Sequence, residues 1–240
     1  MWLVDRPMSV MHNPAPALRF QNVGVKYKKT LQIFRNPGHW ALRNVTFDIF
    51  HGETLGVIGR NGSGKSTLMK LMAGIIKPDE GVKSTAVSSI QLLSLQVGFL
   101  GHLSGRENAI MSGMLLGMRK NDVVACLDKI IEFSELGEQI DDPVRTYSAG
   151  MRARLGFAVA NQTNPDVLLI DEALGVGDAK FREKSKAVMS ARIDSDKTVV
   201  MVSHNEETIK QFCDRVIWLE AGEIKKIGDA ESVVNAYLEA

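Results

Sequence analysis

The stretch "GRNGSGKST", Gly59 to Thr67, lies between a continuous apolar run, "TLGVIG", and a segment with Leu68, Leu71 and Met72 at helical spacing. A strand, a glycine-rich turn and a helix in that order restrict the possible folds of this chain more than any other feature. The spacing G-x-x-x-x-G-K-[ST] lets backbone N–H groups wrap an anion while a helix N-terminus faces it. The four fixed positions would coincide by chance in roughly one chain of this length in a hundred. A fortuitous glycine-rich turn is the alternative, and the strand before it and helix after it argue against that. Gly59, Arg60, Asn61, Gly62, Ser63, Gly64, Lys65, Ser66 and Thr67 are therefore read as a phosphate cradle. Lys65 would reach the terminal phosphates, and the Ser66 hydroxyl would serve Mg²⁺.

Two further apolar runs have the same form. "VLLID" ends in Asp171 and "TVVMVSH" ends in His204, as expected for strands buried on both faces of a parallel sheet covered by helices. Functional groups then collect where strands end. Asp171 is placed to hold Mg²⁺, directly or through water, and Glu172 to polarise an attacking water. Alone, Asp-Glu after a strand is often just a polar strand end. His204 could hydrogen-bond a terminal phosphate and orient the water, whereas His12, His39, His51 and His102 are read as structural.

Between these strands the periodicity becomes helical, with Met111, Met114, Leu115 and Met118, then Val123, Val124, Leu127, Ile130 and Ile131. This predicts a helical lobe inserted into the sheet domain, its methionines acting as adaptable core filler. Val45, Phe47 and Ile49 alternate like a half-exposed strand, and "RVIWLEAGEIKKIG" reads as a hairpin turning near Ala221-Gly222. Residues 1–17, with Pro14 and Pro16, are expected to form a flexible arm.

Composition excludes several classes. With 240 residues, 45% of them apolar, the chain can bury a substantial core, but its apolar runs fall far short of the roughly 20 residues that span a bilayer. A net charge of +1 with interspersed signs gives no bulk attraction to nucleic acid. Cys126 and Cys213 lack metal-type spacing and fit reduced thiols.

"TYSAGMRARLGFAVA", Thr146 to Ala160, joins a small polar turn to an amphipathic helix. Locally, Ser148 reads first as an ordinary N-cap; the free N–H groups behind it would also attract a phosphate, and the rest of the chain must decide.

With the three strand endings in this order and "YSAGM" ahead of "LLIDE", the chain resembles the ATPase subunit of ABC transporters over about residues 18–230. The resemblance implies an α/β fold: a P-loop NTPase core of ABC ATPase type with an antiparallel β subdomain and a helical subdomain at about 100–160, in one domain over 18–240. It implies ATP and Mg²⁺ as cofactors. It also implies a head-to-tail homodimer in which Ser148 and Gly150 bind the γ-phosphate of ATP held by the other copy, and a membrane permease as partner. Tyr27 matches the aromatic that stacks on adenine, or is simply a strand-end tyrosine. Asp178 matches the loop through which the two sites communicate, or caps the helix from Ala179. The usual glutamine after a phenylalanine is missing: Leu100 follows Phe99, and Gln96 is the nearest substitute.

Tyr147, Ala149 and Met151 depart from the family's common LSGGQ. Together with "DEALGVGDAKF", "LSGREN", "EFSELGE" and the insertion after Tyr27, they resemble the branch that exports capsule, O-antigen or teichoic acid. That likeness implies a lipid-linked polysaccharide handled through the permease, no nucleic-acid partner, and a position on the cytoplasmic face of the inner membrane. The rival reading is a soluble ABC-type ATPase acting on DNA or the ribosome. Such proteins usually carry a long coiled coil or paired ATPase units, which this sequence lacks.

Overall fold

The apolar runs are continuous in sequence because both faces of one sheet are covered. The computed structural model describes residues 15–27, 38–93, 98–171, 178–193, 197–203 and 205–240. Its antiparallel sheet comprises β1 (Pro16–Tyr27), β2 (His39–Phe50) and β4 (Glu80–Thr85), with β1 central. A second sheet contains β3 (Thr54–Ile58), β5 (Ile90–Leu93), β6 (Val167–Ile170), β7 (Thr198–Val202), β8 (Arg215–Glu220) and β9 (Glu223–Asp229). Its spatial order is β5-β6-β7-β3-β8-β9, parallel except for β9.

Side chains alternate across that sheet with period two. Val167, Leu169, Val200, Val202, Leu55 and Val57 face one core, shared with the antiparallel sheet and with Leu68, Leu71 and Met72 of α1 (Lys65–Met72). Leu168, Ile170, Val199, Met201 and Ile58 face the other. That second core is closed by α6 (Ala179–Ile193), α7 (Glu206–Phe212) and α8 (Ala230–Leu238), through Phe181, Met189, Ile209 and Val233. The half-exposed strand expected from Val45, Phe47 and Ile49 is β2, where these three are buried and Thr46 is exposed. Phe47 stacks on its cross-strand partner Phe20 at 4.5 Å.

β1 crosses the boundary expected for an N-terminal arm. Ala17 is fully buried and Pro16 pairs with Phe50, so the sheet begins inside the stretch read as flexible. The prolines concealed this: Pro16 occupies the first position of a strand, where a missing N–H is tolerated.

The helical lobe consists of α2 (Gly105–Leu115), α3 (Lys120–Ala125), α4 (Leu127–Ser134), two 3₁₀ turns (Gly137–Asp141 and Val144–Thr146) and α5 (Ala149–Ala160). Ser104 caps α2 in a reciprocal box with Glu107. The methionines fill its core only in part: Met118 packs against the lobe core, whereas Met114 is exposed. α2 buries Gly105, Asn108, Ala109, Ser112 and Gly113 and leaves Met114 and Leu115 exposed. The cause is close approach: a Cβ on Gly113 would lie 2.6 Å from a Val123 methyl of α3, so only the small face fits inward. Asn108, fully buried, accepts from Leu100 N at 2.7 Å and donates to the carbonyls of Leu100, Leu103 and Ser104, fixing the turn that enters the lobe.

Candidate nucleotide site

The parallel strands β6, β7 and β3 are neighbours, and their C-terminal ends lie level: Ile170 pairs with Met201, and Val202 with Val57. Residues just beyond those ends are therefore brought to one edge, where open α/β sheets place ligands. There a cavity of about 330 Å³ is lined by Asn61, Gly62, Gly64, Lys65, Ser66 and Thr67 of the glycine-rich loop and by Asp171 from the end of β6.

The loop is shaped by its neighbours. Gly64 has φ +108, and a Cβ there would come within 2.5 Å of Ala41 O, so glycine is required for both conformation and space. Lys65, largely buried, folds back across the loop, its Nζ donating to Gly59 O at 2.6 Å and Arg60 O at 3.0 Å. α1 starts at Lys65 with no capping side chain and no acidic residue in its first turn. Its dipole thus faces the cavity without a compensating negative charge at the cap. The Ser63 Oγ is buried with no hydrogen-bond partner among the described residues. From behind, the β8–β9 turn braces the loop, since Gly222 N donates to Ser63 O at 3.0 Å.

An uncapped helix N-terminus, a lysine, a hydroxyl and a carboxylate around one cavity suit a phosphate chain with a divalent cation. The donors match the anion, and Ser66 and Asp171 are hard oxygen ligands of the kind Mg²⁺ takes.

Other expected residues are placed as follows. Glu172, His204 and Gln96 lie outside the described residues, as does most of the insertion after Tyr27. Asp171 and Val202, near Glu172 and His204 in sequence, both line the cavity. Tyr27 is 45% exposed and pairs with His39, but is not among the residues that line the cavity. His39 itself lines the cavity, a place that its reading as a structural histidine did not anticipate. Its place is set by the β1–β2 register, which leaves no local trace in sequence.

Ser148 and Gly150 do not line this cavity. Ser148 caps α5 by accepting from Met151 N at 3.1 Å, and a Cβ on Gly150 would meet, among the described residues beyond its own helix backbone, just Ser148 Oγ at 3.7 Å. The turn is therefore both a cap and an open surface. Arg152 folds back to Tyr147 O at 2.9 Å. Asp178 accepts from Phe181 N at 2.9 Å and so caps α6. Tyr147, one of the departures from the common motif, is buried in the lobe and donates through its hydroxyl to Gln139 O. A Cβ on Gly105 would meet that hydroxyl at 2.2 Å, so the tyrosine and the glycine are fitted to each other.

The sequence profile of the ABC transporter family matches residues 42–175. This chain belongs to that family and is an ABC-type ATPase cassette. It is 39% identical to the O-antigen export system ATP-binding protein RfbB of Klebsiella pneumoniae, over 94% of this chain and 98% of that one. It is 43% identical to the teichoic acids export ATP-binding protein TagH of Enterococcus faecalis, over 88% of this chain and 48% of the longer relative. The fold is shared with a bacterial ABC transporter cassette solved as a dimer, with a TM-score of 0.70 and 25% identity over 89% of this chain and 98% of that one.

Proposed function

We propose that this chain is the ATP-hydrolysing subunit that powers export of a lipid-linked bacterial surface polysaccharide, of O-antigen or capsule type, across the cytoplasmic membrane. The observation that carries this is the match to an O-antigen export subunit along nearly the whole of both chains, in a fold whose phosphate loop and Asp171 share one cavity. Teichoic acid export is the second reading, favoured by similarity to TagH.

In this reading the backbone of Gly59 to Thr67 and the Lys65 ammonium hold the ATP phosphates. Ser66 and Asp171 hold Mg²⁺, which when bound neutralises phosphate charge. Tyr27 stacks on adenine. Glu172 polarises the water and His204 hydrogen-bonds the terminal phosphate. Ser148 and Gly150 serve the nucleotide of a second copy, so a head-to-tail homodimer completes each donor set and excludes water as it closes. Asp178 sits where the two sites of that dimer communicate.

No helix among the described residues is long and apolar enough to cross a membrane. In this reading the membrane path belongs to permease subunits, at whose cytoplasmic face this chain sits. An open groove of about 610 Å³ on the lobe, with Ile110, Met111, Met114 and Leu115 between Glu107 and Lys120, is the surface this reading assigns to them. Lys65→Ala should abolish ATP turnover in the assembled transporter, and wild-type turnover there would overturn the phosphate assignment. Glu172→Gln should bind ATP yet slow hydrolysis by at least about 100-fold. In the native cell the same variant should trap a lipid-linked glycan inside. Normal surface polysaccharide in that strain would exclude this cargo.

A further inference from the structure

The first residues of β2 form one wall of the nucleotide cavity. His39 and Ala41 both line it, as residues two apart on a strand share a face. Between them Trp40 points the other way, its Cζ3 2.8 Å from where a Cβ on Gly24 would lie and its ring centroid 5.3 Å from Lys26 Nζ. Trp40 thus seats the end of β2 on β1 and leaves His39 turned to the cavity. Gly38, with φ +78, brings the chain in close: a Cβ there would come within 3.1 Å of Tyr27 O.

Strand order says which part of the cavity His39 occupies. Asp171 follows β6, two strands from β3 on one side, whereas β8 and β9 lie on the other. β2 arrives from the β8–β9 side, since Arg43 N donates to Gly222 O, and Ala41 O is 2.8 Å from where a Cβ on Gly222 would fall and 2.5 Å from one on Gly64. The glycine-rich loop, which follows β3, stands between the two. A nucleotide whose terminal phosphate lies on the Asp171 side therefore directs its nucleoside toward His39.

The imidazole suits that place. It is exposed and makes no hydrogen bond or ion pair among the described residues, so its flat face can take a base. Tyr27 is its cross-strand partner, and directly opposed residues share a face. The two rings form one ledge, with His39 on the cavity side because Tyr27 does not line the cavity.

Resting on the functional reading above, we propose that His39 is a nucleotide-binding residue. The base of ATP stacks on its imidazole, and Tyr27 supplies the outer, lesser part of the ledge. The nucleoside is then read by the antiparallel sheet, and the phosphates by the loop and Asp171 of the parallel one.

The test measures the affinity of the full chain, assembled with its permease, for MgATP and for magnesium tripolyphosphate, which has phosphates and no nucleoside. His39→Ala should weaken MgATP binding about tenfold and leave tripolyphosphate binding unchanged. His39→Phe, which keeps a flat ring, should restore most of the affinity, and His39→Asn, which keeps a polar group without a ring, should not. Tyr27→Ala should cost less than His39→Ala. Wild-type MgATP affinity in His39→Ala, an equal loss for tripolyphosphate, rescue by Asn instead of Phe, or a larger loss in Tyr27→Ala would each overturn the proposal. If His39→Ala does not assemble, the comparison of His39→Phe with His39→Asn decides it. An unsubstituted chain that binds no MgATP overturns the functional reading along with this proposal, whereas wild-type affinity in His39→Ala overturns this proposal alone.

Discussion

The amide of Gly222 donates to the carbonyl of Ser63 at 3.0 Å, and the carbonyl of Gly222 accepts from Arg43 N at 2.9 Å. One residue of the β8–β9 turn therefore ties the phosphate loop to the antiparallel sheet. Gly222 has φ +85, and a Cβ there would lie 2.8 Å from Ala41 O.

Gly222→Ala should consequently cost about 1–2 kcal/mol from the left-handed backbone alone and displace the loop it braces. The expected kinetic result is a raised KM for ATP with a smaller change in kcat. An unchanged KM beside the stability loss would show that the brace does not shape the site.

Tyr147 and Gly105 should behave as a coupled pair. Tyr147→Phe removes the hydrogen bond to Gln139 O, at a cost of about 1 kcal/mol. Gly105→Ala places a Cβ 2.2 Å from the Tyr147 hydroxyl and 2.9 Å from Ile140 O, an overpacking worth about 1–3 kcal/mol. Removing the hydroxyl relieves part of that clash, so the double variant should lose less than the sum. Urea denaturation of all four proteins measures the coupling, and strict additivity would contradict it.

The two cysteines should differ in reactivity. Burial, aided by Asp214, pushes the Cys213 thiol up to about 12, so no thiolate is available near neutral pH. Burial raises the Cys126 thiol as well, but Cys126 is only half-buried and so the more accessible of the two. Iodoacetamide applied to the native protein should label Cys126 and leave Cys213 untouched until the chain is unfolded, as read by peptide mass spectrometry. Early labelling of Cys213 would mean that the second core opens readily.

Asp166 links the β4–β5 connection to the start of β6. Its carboxylate accepts from Ser89 N and Ser88 N, both at 2.9 Å, and from Ser89 Oγ at 3.1 Å. The Ser89 backbone N–H, foremost, holds it below the usual carboxylate range. A depressed folded pKa gives stability that is present above the unfolded value of about 4 and lost as pH falls through the folded one. Asp166→Asn should therefore lower the urea midpoint at about pH 7, and by a smaller amount at about pH 3, which is below the unfolded value. An equal gap at both would assign the loss to packing.

What the sequence revealed follows from how local each signal is. The phosphate loop is a single strand–turn–helix unit, so Gly59 to Thr67 could be read directly, as could the hairpin at Ala221-Gly222 and the cap at Ser148. Asp171 was legible because its strand is a short, wholly apolar run. The partners of these pieces were not. That β7 lies between β6 and β3, that His39 lines the cavity through its pairing with Tyr27, and that Gly222 reaches Ser63 all depend on contacts distant in sequence. The inward face of α2 was misread because hydrophobicity was taken as a guide to burial, whereas the space before Val123 admits only small side chains.

That inversion on α2 has a consequence for how such a chain can diversify. Its buried positions are Gly105, Asn108, Ala109, Ser112 and Gly113, joined by the partly buried Ile110, while Met114 and Leu115 are exposed. Drift at the outer positions alters what the lobe presents without reopening how it is built. Surface character and foldability thus draw largely on different letters of one helix, with Ile110 belonging to both.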